Sequence, residues 1–209
     1  MDELSVNAKY SYLNLFPSPL HIFDIDEFDK LQDDLIDQIY KLKKQDSNGH
    51  IISNRGGWQS KGFDLSFDGG VLHTTILKVL KSSFFIKNTT SMVTSAWVNI
   101  NSPGAYNVRH SHPESNLSGV LWVKCPKDSG NIEFLNPTAH QSYTEIEAYI
   151  DKFKEKNLVY QSYWFNPIEG RMMIFPSHLE HEVTQNKSNE DRISISFNIQ
   201  LTNANLGRF

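Results

Sequence analysis

The segment "GAYNVRHSHPE", residues 104–114, contains two histidines one residue apart and a glutamate two residues after the second. Side chains at positions i and i+2 of an extended chain point to the same face, so this run can bring two ligands to one metal ion. Two pairs meet that condition, His110 with His112 and His112 with Glu114. The segment therefore predicts a metal site at the end of a strand and leaves the choice of pair open.

A second segment, "GRMMIFPSHLEH" at residues 170–181, ends on another histidine, His181. The patterns G-x5-H-x-H and G-x5-P-x4-H resemble the two halves of the cupin jelly-roll motif, in which neighbouring strands deliver the ligands. We expect a triad of His110, His112 and His181. The alternative is His112, Glu114 and His181, the two-histidine, one-carboxylate set that is common in non-heme iron enzymes.

The segment "RISISFN", residues 192–198, alternates polar and apolar side chains. Strand periodicity therefore places Arg192, Ser194, Ser196 and Asn198 on one face. A buried arginine is costly unless it meets an anion. Arg192 can hold a carboxylate through two parallel hydrogen bonds, and Ser194 can donate a third. The pattern indicates a site for a carboxylate-bearing co-substrate, with Asn198 on the same face.

The run "VNINSPGAYNVRHSH", residues 98–112, resembles the N-x-Y-x-P-G-A-x4-H-x-D segment of the alkylation-repair dioxygenases without a gap. In that alignment His110 takes the place of the first histidine and His112 that of the aspartate, which favours the three-histidine set. The resemblance implies that Asn99 and Asn101 contact the co-substrate, although Asn101 replaces a tyrosine. Trp122 occupies the place where a tyrosine lines the same pocket in prolyl-hydroxylase relatives.

Taken whole, the chain resembles a family of 2-oxoglutarate/Fe(II) oxygenases found in phages and marine bacteria and distantly related to prolyl hydroxylases. The segments "LFPSPL", "SNRGGWQS" and "SGNIEFLNP" contribute to this resemblance. It implies Fe(II), the co-substrate 2-oxoglutarate, and O2, with decarboxylation to succinate coupled to hydroxylation of a peptidyl proline, an amino acid or a nucleobase. Two alternatives remain: a non-catalytic, metal-binding cupin-like protein, and a cupin dioxygenase that does not use 2-oxoglutarate.

The order of helical and strand patterns indicates one domain, residues 1–209, with a helical flanking part at 1–90 and a jelly-roll core at 91–209. Asp26 is expected to cap a first helix, a second amphipathic stretch follows at 71–80, and "TEIEAYIDKFKEKN" (144–157) is expected to be a helical insertion. The apolar positions of these three stretches are Phe28, Leu31, Leu35, Ile39 and Leu42; Val71, Leu72, Ile76, Leu77 and Leu80; and Ile146, Ile150 and Phe153.

Six segments rich in β-branched and aromatic residues are expected to be strands. They are "SMVTSAWVNIN", "LSGVLWVKC", "GNIEFLN", "LVYQSYWFNP", "GRMMIFP" and "RISISFNIQL". Helices followed by many short strands predict an α+β fold: a double-stranded β-helix, which is a jelly-roll or cupin-like barrel, flanked by N-terminal helices.

Composition and charge limit the classes of binding partner and the cellular compartment that we expect for the protein. A formal charge of −4 gives no basic footprint, so nucleic acid is a disfavoured though not excluded partner. A single cysteine, an N-terminus without a signal-peptide pattern and the lack of a long apolar run favour a cytoplasmic protein with no membrane partner. Trp58, in a Gly/Asn-rich loop, is expected either to contact substrate at the mouth of the barrel or to pin the loop to the core.

Overall fold

The computed structural model describes residues 16–62, 74, 76, 78, 89–138 and 148–203. Eleven strands and two longer helices make up the fold in this part of the chain. In chain order they are β1 (His21–Asp24), α1 (Asp29–Gln45), β2 (Asn54–Arg55), β3 (Trp58–Gln59), β4 (Thr89–Asn101), β5 (Tyr106–His110), β6 (Leu117–Lys124), β7 (Ile132–Leu135), α2 (Asp151–Asn157), β8 (Ser162–Phe165), β9 (Arg171–Pro176), β10 (His181–Val183) and β11 (Arg192–Asn203).

The strands form two antiparallel sheets. The six-stranded sheet has the order β1-β9-β6-β11-β4-β3, and the five-stranded sheet has the order β2-β5-β10-β7-β8. From β4 to β11 the chain alternates between the two sheets, apart from the β7–β8 pair. This winding is the double-stranded β-helix predicted from the sequence, and it confirms the predicted fold class.

Helix α1 covers the outer face of the six-stranded sheet. Its residues Leu35 and Ile39 are buried in one apolar cluster with Ile193, Ile195 and Phe197 of β11. The alternate residues of β11 therefore face the other way, into the space between the two sheets. The strand pattern "RISISFN" thus separates a helix-covered apolar face from a polar interior face, as predicted.

The predicted cap of α1 is wrong. The helix begins at Asp29, its N-cap is Phe28, and no side chain caps it. Asp26 lies in the preceding turn, where the Phe28 carbonyl accepts hydrogen bonds from the backbone amides of residues 31 and 32. Phe28 is 7% exposed, and a Cβ atom at Gly170 would lie 2.7 Å from its Cβ. The helix therefore begins at a residue that is packed against Gly170 and not at a side-chain cap.

Of the predicted helical insertion, 144–157, the structure describes residues 148–157, and the α-helix there begins only at Asp151. Helix α2 spans Asp151–Asn157 and buries none of its residues, and Ile150 precedes it with 72% of its surface exposed. Helical apolar spacing over so few turns does not pull this segment onto the core. Ile146 lies outside the described residues. So do Val71, Leu72, Leu77 and Leu80 of the second amphipathic stretch, whereas Ile76 is helical and buried.

The N-terminal part also contributes strands that the sequence did not predict. Strand β1 pairs with β9, β2 with β5, and β3 with β4, so residues before 60 join both sheets. Trp58 in β3 is 7% exposed and donates a hydrogen bond from Nε1 to the Asp46 carbonyl oxygen at 2.8 Å. Trp58 therefore pins its loop to the end of α1, which is one of the two roles predicted for it.

Within the described residues, no helix combines the length and the apolar character that crossing a bilayer requires.

Candidate active site

The fold brings three of the predicted ligands together at one end of the five-stranded sheet. His181, the first residue of β10, pairs directly with His110, the last residue of β5. His112 lies two residues beyond, where its backbone amide donates to the Ser177 carbonyl at 2.9 Å. One ligand atom from each of His110, His112 and His181 lies within 4.8 Å of the others. The three imidazoles can therefore hold a single metal ion.

Backbone carbonyls orient two of the three rings. His110 Nδ1 lies 2.7 Å from the Val108 oxygen, and His181 Nδ1 lies 2.9 Å from the Leu179 oxygen. A carbonyl can only accept, so each Nδ1 carries the proton and donates. This leaves the Nε2 lone pair of each ring free to bind a metal, which is the usual arrangement of metal-binding histidines.

Burial keeps the histidines in the neutral form that binds metals. Desolvation, together with the neighbouring His110 and His112, lowers the pKa of His181 to about 3. Desolvation, followed by the influence of His110, lowers the pKa of His112 to about 4. The pKa of His110 is also lowered, mainly by burial. At neutral pH all three rings are uncharged, so a cation can bind without first displacing protons.

Glu114 is exposed to solvent and does not belong to the cluster, which among the described residues consists of the three histidines. It follows His112 by two residues, but the chain leaves β5 at His110, so the extended alternation that would align Glu114 with His112 ends there. His178 is also exposed. The geometry therefore favours the three-histidine set over the set that contains Glu114.

Arg192 lies at the other end of the same pocket and is 1% exposed. Its Nη1 donates to the carbonyl oxygens of Ser129 and Thr184, the second at 3.1 Å. Its Nε and Nη2 atoms are buried without a hydrogen-bond partner, and no carboxylate of the described residues forms an ion pair with it. Burial lowers the pKa of Arg192 to about 10, so the group is still a cation at neutral pH.

Gly130 holds the loop that positions this guanidinium. Its φ of +91° lies in a region that side chains disfavour. A Cβ atom there would stand 2.4 Å from the Thr184 oxygen and 2.8 Å from Arg192 Nη1. Only glycine allows the two carbonyls to hold Nη1 while the Nε–Nη2 edge of the guanidinium stays open. That edge is the one that accepts a carboxylate side-on.

Three predicted co-substrate residues line the pocket near Arg192. Trp122 is 1% exposed, its Nε1 has no hydrogen-bond partner, and the Arg192 Cζ atom lies 6.0 Å from the ring centroid. Ser194 is paired with Trp122 across the strands and also lines the pocket. Asn99 donates from Nδ2 to Ser196 Oγ at 3.2 Å and leaves its buried Oδ1 unpaired. At this end the pocket thus holds unpaired donors on Arg192 and Trp122, and one unpaired acceptor, Asn99 Oδ1.

Two further predicted residues serve the structure of the pocket. Asn101 lines it, but its Nδ2 donates to Asn107 Oδ1 at 3.1 Å, so this amide is already engaged. Asn198 shares the β11 face with Arg192 but does not line the pocket. Its Oδ1 accepts from Ser118 Oγ at 2.8 Å, and its Nδ2 donates to Ser95 Oγ at 3.3 Å.

The structure adds residues that the motif comparison did not assign. Trp97 lines the pocket with its ring centroid 5.6 Å from that of His112, and Ser196 and Asn107 line it as well. The alternation of side chains along a strand could have identified Trp97 and Ser196 from the sequence. Trp97 shares the β4 face of Asn99, and Ser196 the β11 face of Ser194.

The residues fit an Fe(II) ion and a dicarboxylate held together. Three neutral nitrogen donors at one end suit a divalent transition metal, and the unpaired Arg192 nitrogens with Trp122 Nε1 at the other end suit a carboxylate. One pocket joins the two ends. A molecule that chelates the metal and extends a second carboxylate to Arg192 would satisfy every orphaned donor named here.

Comparison with known proteins assigns the family. Residues 95–198, which contain all three histidines and Arg192, match the family described as "Putative 2OG-Fe(II) oxygenase". The chain is a 2OG-Fe(II) oxygenase. The enzyme therefore uses Fe(II), 2-oxoglutarate and O2. A search of curated protein sequences finds no match to the oxygenase.

Solved structures share the fold of this oxygenase at low sequence identity. A prolyl-4-hydroxylase from Pseudomonas putida is 14% identical with a TM-score of 0.56, covering 87% of this chain and 91% of its own. A Trichoplax adhaerens prolyl hydroxylase, in complex with a hypoxia inducible factor peptide fragment, is 14% identical with a TM-score of 0.58, covering 88% and 83%. HygX from Streptomyces hygroscopicus, with nickel and 2-oxoglutarate bound, is 9% identical with a TM-score of 0.56, covering 88% and 83%.

Proposed function

We propose that His110, His112 and His181 bind the Fe(II) of this oxygenase, and that Arg192 with Ser194 and Trp122 binds the far carboxylate of 2-oxoglutarate. The reaction is the hydroxylation of a substrate coupled to the conversion of 2-oxoglutarate to succinate. The observation that carries the proposal is the open edge of Arg192: a buried cation whose Nε and Nη2 have no partner, in the pocket that also holds the histidine cluster.

Charge supports a dianionic co-substrate. Three neutral histidines leave the full double charge of the metal uncompensated, and Arg192 adds a further positive charge in the same buried space. The desolvation cost of these charges falls when an anion enters and pairs with both. A dicarboxylate with one end at each site meets this requirement, whereas a neutral ligand would leave both cations unpaired.

The bound Fe(II) would supply the redox chemistry that couples decarboxylation to substrate oxidation. The chain positions the reactants. The carbonyls of Val108 and Leu179 hold two imidazoles in the orientation that presents Nε2, and those of Ser129 and Thr184 hold Arg192 in place. Apolar side chains of Ile132, Phe175 and Val120 line the space between the two ends and limit the entry of water.

The ligand assignment is tested with two variants that separate the two possible triads. We expect His110→Ala to abolish Fe(II) binding in anaerobic equilibrium dialysis and to abolish succinate formation from 2-oxoglutarate under O2. Glu114→Ala should retain both, because the Glu114 side chain is exposed and outside the cluster. Loss of iron from Glu114→Ala and its retention by His110→Ala would establish the other triad.

We also infer that the described residues act as one domain in the cytoplasm. Strands before residue 60 pair with strands of both sheets, so the N-terminal part cannot separate without breaking them. A single cysteine suits a reducing compartment. One cooperative unfolding transition, followed by both circular dichroism and tryptophan fluorescence, is the expected result; two resolved transitions would contradict the single domain.

A further inference from the structure

A second cavity, of about 400 Å³, lies at the β8 edge of the five-stranded sheet. We call it the β8 groove. It is bounded by strands β7 and β8 and by the segments 16–20, 136–138 and 157–160. Its volume falls in the range of small-molecule sites, roughly 300–1,000 Å³. The co-substrate pocket does not use it, because the two share no lining residue.

The lining of the β8 groove is apolar and uncharged. Aromatic and aliphatic side chains dominate, and none of the side chains that line it among the described residues carries a charge. Its small polar side chains are Ser18, Asn136, Thr138, Asn157 and Ser162. Three of them are engaged: Ser162 donates to Glu133, Asn157 to the Phe153 carbonyl, and the Asn136 amide to the Tyr160 carbonyl. The aromatic members are Phe16, Phe134, Tyr160, Tyr163 and Phe165.

The groove and the histidines lie on the same face of the same sheet. His110 pairs with His181 across β5 and β10, His181 pairs with Phe134 across β10 and β7, and Phe134 pairs with Tyr163 across β7 and β8. Directly opposed residues of antiparallel strands point to the same side. One row of side chains therefore runs from the metal-binding end into the groove.

The separation between the two is short. Strands in a sheet are roughly 4.8 Å apart, so β8 lies about 10 Å from β10, which carries His181. Phe134 and Leu179 line the groove and also contact His181. The Phe134 ring centroid is 5.9 Å from that of His181, and the Leu179 carbonyl accepts a hydrogen bond from His181 Nδ1. A molecule seated in the groove is thus within the reach of one small ring system from the metal ligands.

Two residues at the rim of the groove have an unusual backbone conformation. Phe16 has a φ of +59°, in the left-handed region that large apolar residues rarely adopt, whereas Leu158, with a φ of +52°, is the left-handed residue that ends α2. Their side chains are 93% and 63% exposed, although both line the groove. The strained backbone of Phe16, which presents an apolar side chain to water at the rim, marks the groove as a candidate binding site.

We propose that the β8 groove binds the substrate, and that this substrate is an uncharged small molecule with an apolar ring system. The inference rests on the proposed function, because it requires the metal to lie at the histidine cluster. Aromatic walls stack against rings, and an uncharged lining offers no partner to an ammonium, carboxylate or phosphate group. A free amino acid or a nucleotide would leave its charge unpaired in this groove.

The occupancy of the groove is tested with the neutral fluorophore N-phenyl-1-naphthylamine, which brightens in apolar sites. Tyr163 and Trp164 are adjacent exposed aromatic residues of β8, 44% and 55% exposed, and only Tyr163 lines the groove. We expect Tyr163→Glu to weaken binding of the fluorophore at least tenfold and Trp164→Glu to leave it within twofold. No binding by the wild-type protein, or equal loss in the two variants, would overturn the proposal.

The position of the bound fluorophore relative to the metal is tested by NMR. With paramagnetic Co(II) in place of Fe(II), the fluorophore protons should shift and broaden in comparison with the Zn(II) protein. Binding without any difference between the two metals would overturn the proposal, because the fluorophore would then lie far from the histidines. His110→Ala should still bind the fluorophore without the Co(II) effect. If Co(II) never binds the wild-type protein, the proposed metal site has failed, whereas the fluorescence comparison still decides the groove.

Discussion

The two ends of the co-substrate pocket are prepared in opposite ways. At the histidine end, hydrogen bonds to backbone carbonyls orient two of the rings and burial keeps all three neutral, with the pKa of His181 lowered to about 3. At the arginine end, a permanent cation is buried with two donor nitrogens unpaired. The histidine end can bind a cation as it stands, whereas the arginine end holds a buried cation with no anion beside it. A ligand that bridges the two therefore stabilises the arginine end more than the histidine end.

The largest effect is expected from removing a ligand at the histidine end. His181→Ala should weaken Fe(II) binding at least 100-fold, since losing a direct ligand costs more than losing the hydrogen-bond partner of a ligand, which costs roughly 10–100-fold. Isothermal titration under anaerobic conditions measures the affinity. His178→Ala is the matched control, because His178 is exposed and outside the cluster. Similar affinities in the two variants would remove His181 from the site.

The next largest effect is expected at the arginine end, where one variant should weaken 2-oxoglutarate binding and change the stability of the protein little. Arg192→Met should weaken 2-oxoglutarate binding by about 2–4 kcal/mol, the range for losing a bidentate charged pair. The free energy of unfolding of the ligand-free protein should not fall by more than about 1 kcal/mol, since an unpaired buried charge leaves with the side chain. Arg109→Met, which removes a 54% exposed arginine, controls for lost charge. Strong destabilisation by Arg192→Met with unchanged 2-oxoglutarate affinity would make Arg192 a purely structural residue.

A smaller effect follows from the lowered pKa of His181. Its pKa is about 3 in the folded protein and 6.5 ordinarily, so between these values the unfolded chain binds one more proton. Stability of the metal-free protein should therefore fall as pH falls from 6.5, by about 1.4 kcal/mol per pH unit from this residue. The free energy of unfolding, measured with urea at pH 5 and pH 6, should change with pH less steeply in His181→Gln than in the wild-type protein, by that amount. Identical slopes would show that His181 titrates normally.

The smallest effect on 2-oxoglutarate binding is expected from removing a single hydrogen-bond donor. Trp122→Phe removes Nε1–H, which is buried without a partner, and keeps most of the ring surface. We expect 2-oxoglutarate binding to weaken by about 0.5–1.5 kcal/mol, the usual contribution of one hydrogen bond. Stability should change little. An affinity equal to that of the wild-type protein would indicate that Trp122 only packs beneath Arg192.

The local pattern of the sequence was sufficient to predict the two ends of the pocket. The i, i+2 spacing of His110 and His112 and the alternation that begins at Arg192 depend only on strand geometry, which the fold preserves. The same local rules failed where distant packing decides. The sequence predicted a cap at Asp26, whereas α1 begins after Phe28, which packs on Gly170. For Trp58 the local pattern left two roles open, and the hydrogen bond to the Asp46 carbonyl supports the one that pins the loop.

Other features depend on pairs of residues far apart in the chain and could not be read from it. The Nη1 atom of Arg192 is held by the carbonyl of Ser129, 63 residues away, and this bond is what leaves the Nε–Nη2 edge open. The β8 groove arises because β7 and β8 join the sheet that carries the histidines. The sequence predicts the strands, but it does not show that side chains from His110 to Tyr163 form one row across the sheet.

The central claim is that one ligand bridges the histidine cluster and Arg192. The most direct test is an anaerobic titration of the metal-free protein, first with Fe(II) and then with 2-oxoglutarate, while recording the visible charge-transfer absorption of an Fe(II)–2-oxoglutarate chelate. We predict that the band develops in the wild-type protein and requires a much higher 2-oxoglutarate concentration in Arg192→Met. Iron binding without the band, or identical titrations in the two proteins, would contradict the bridge.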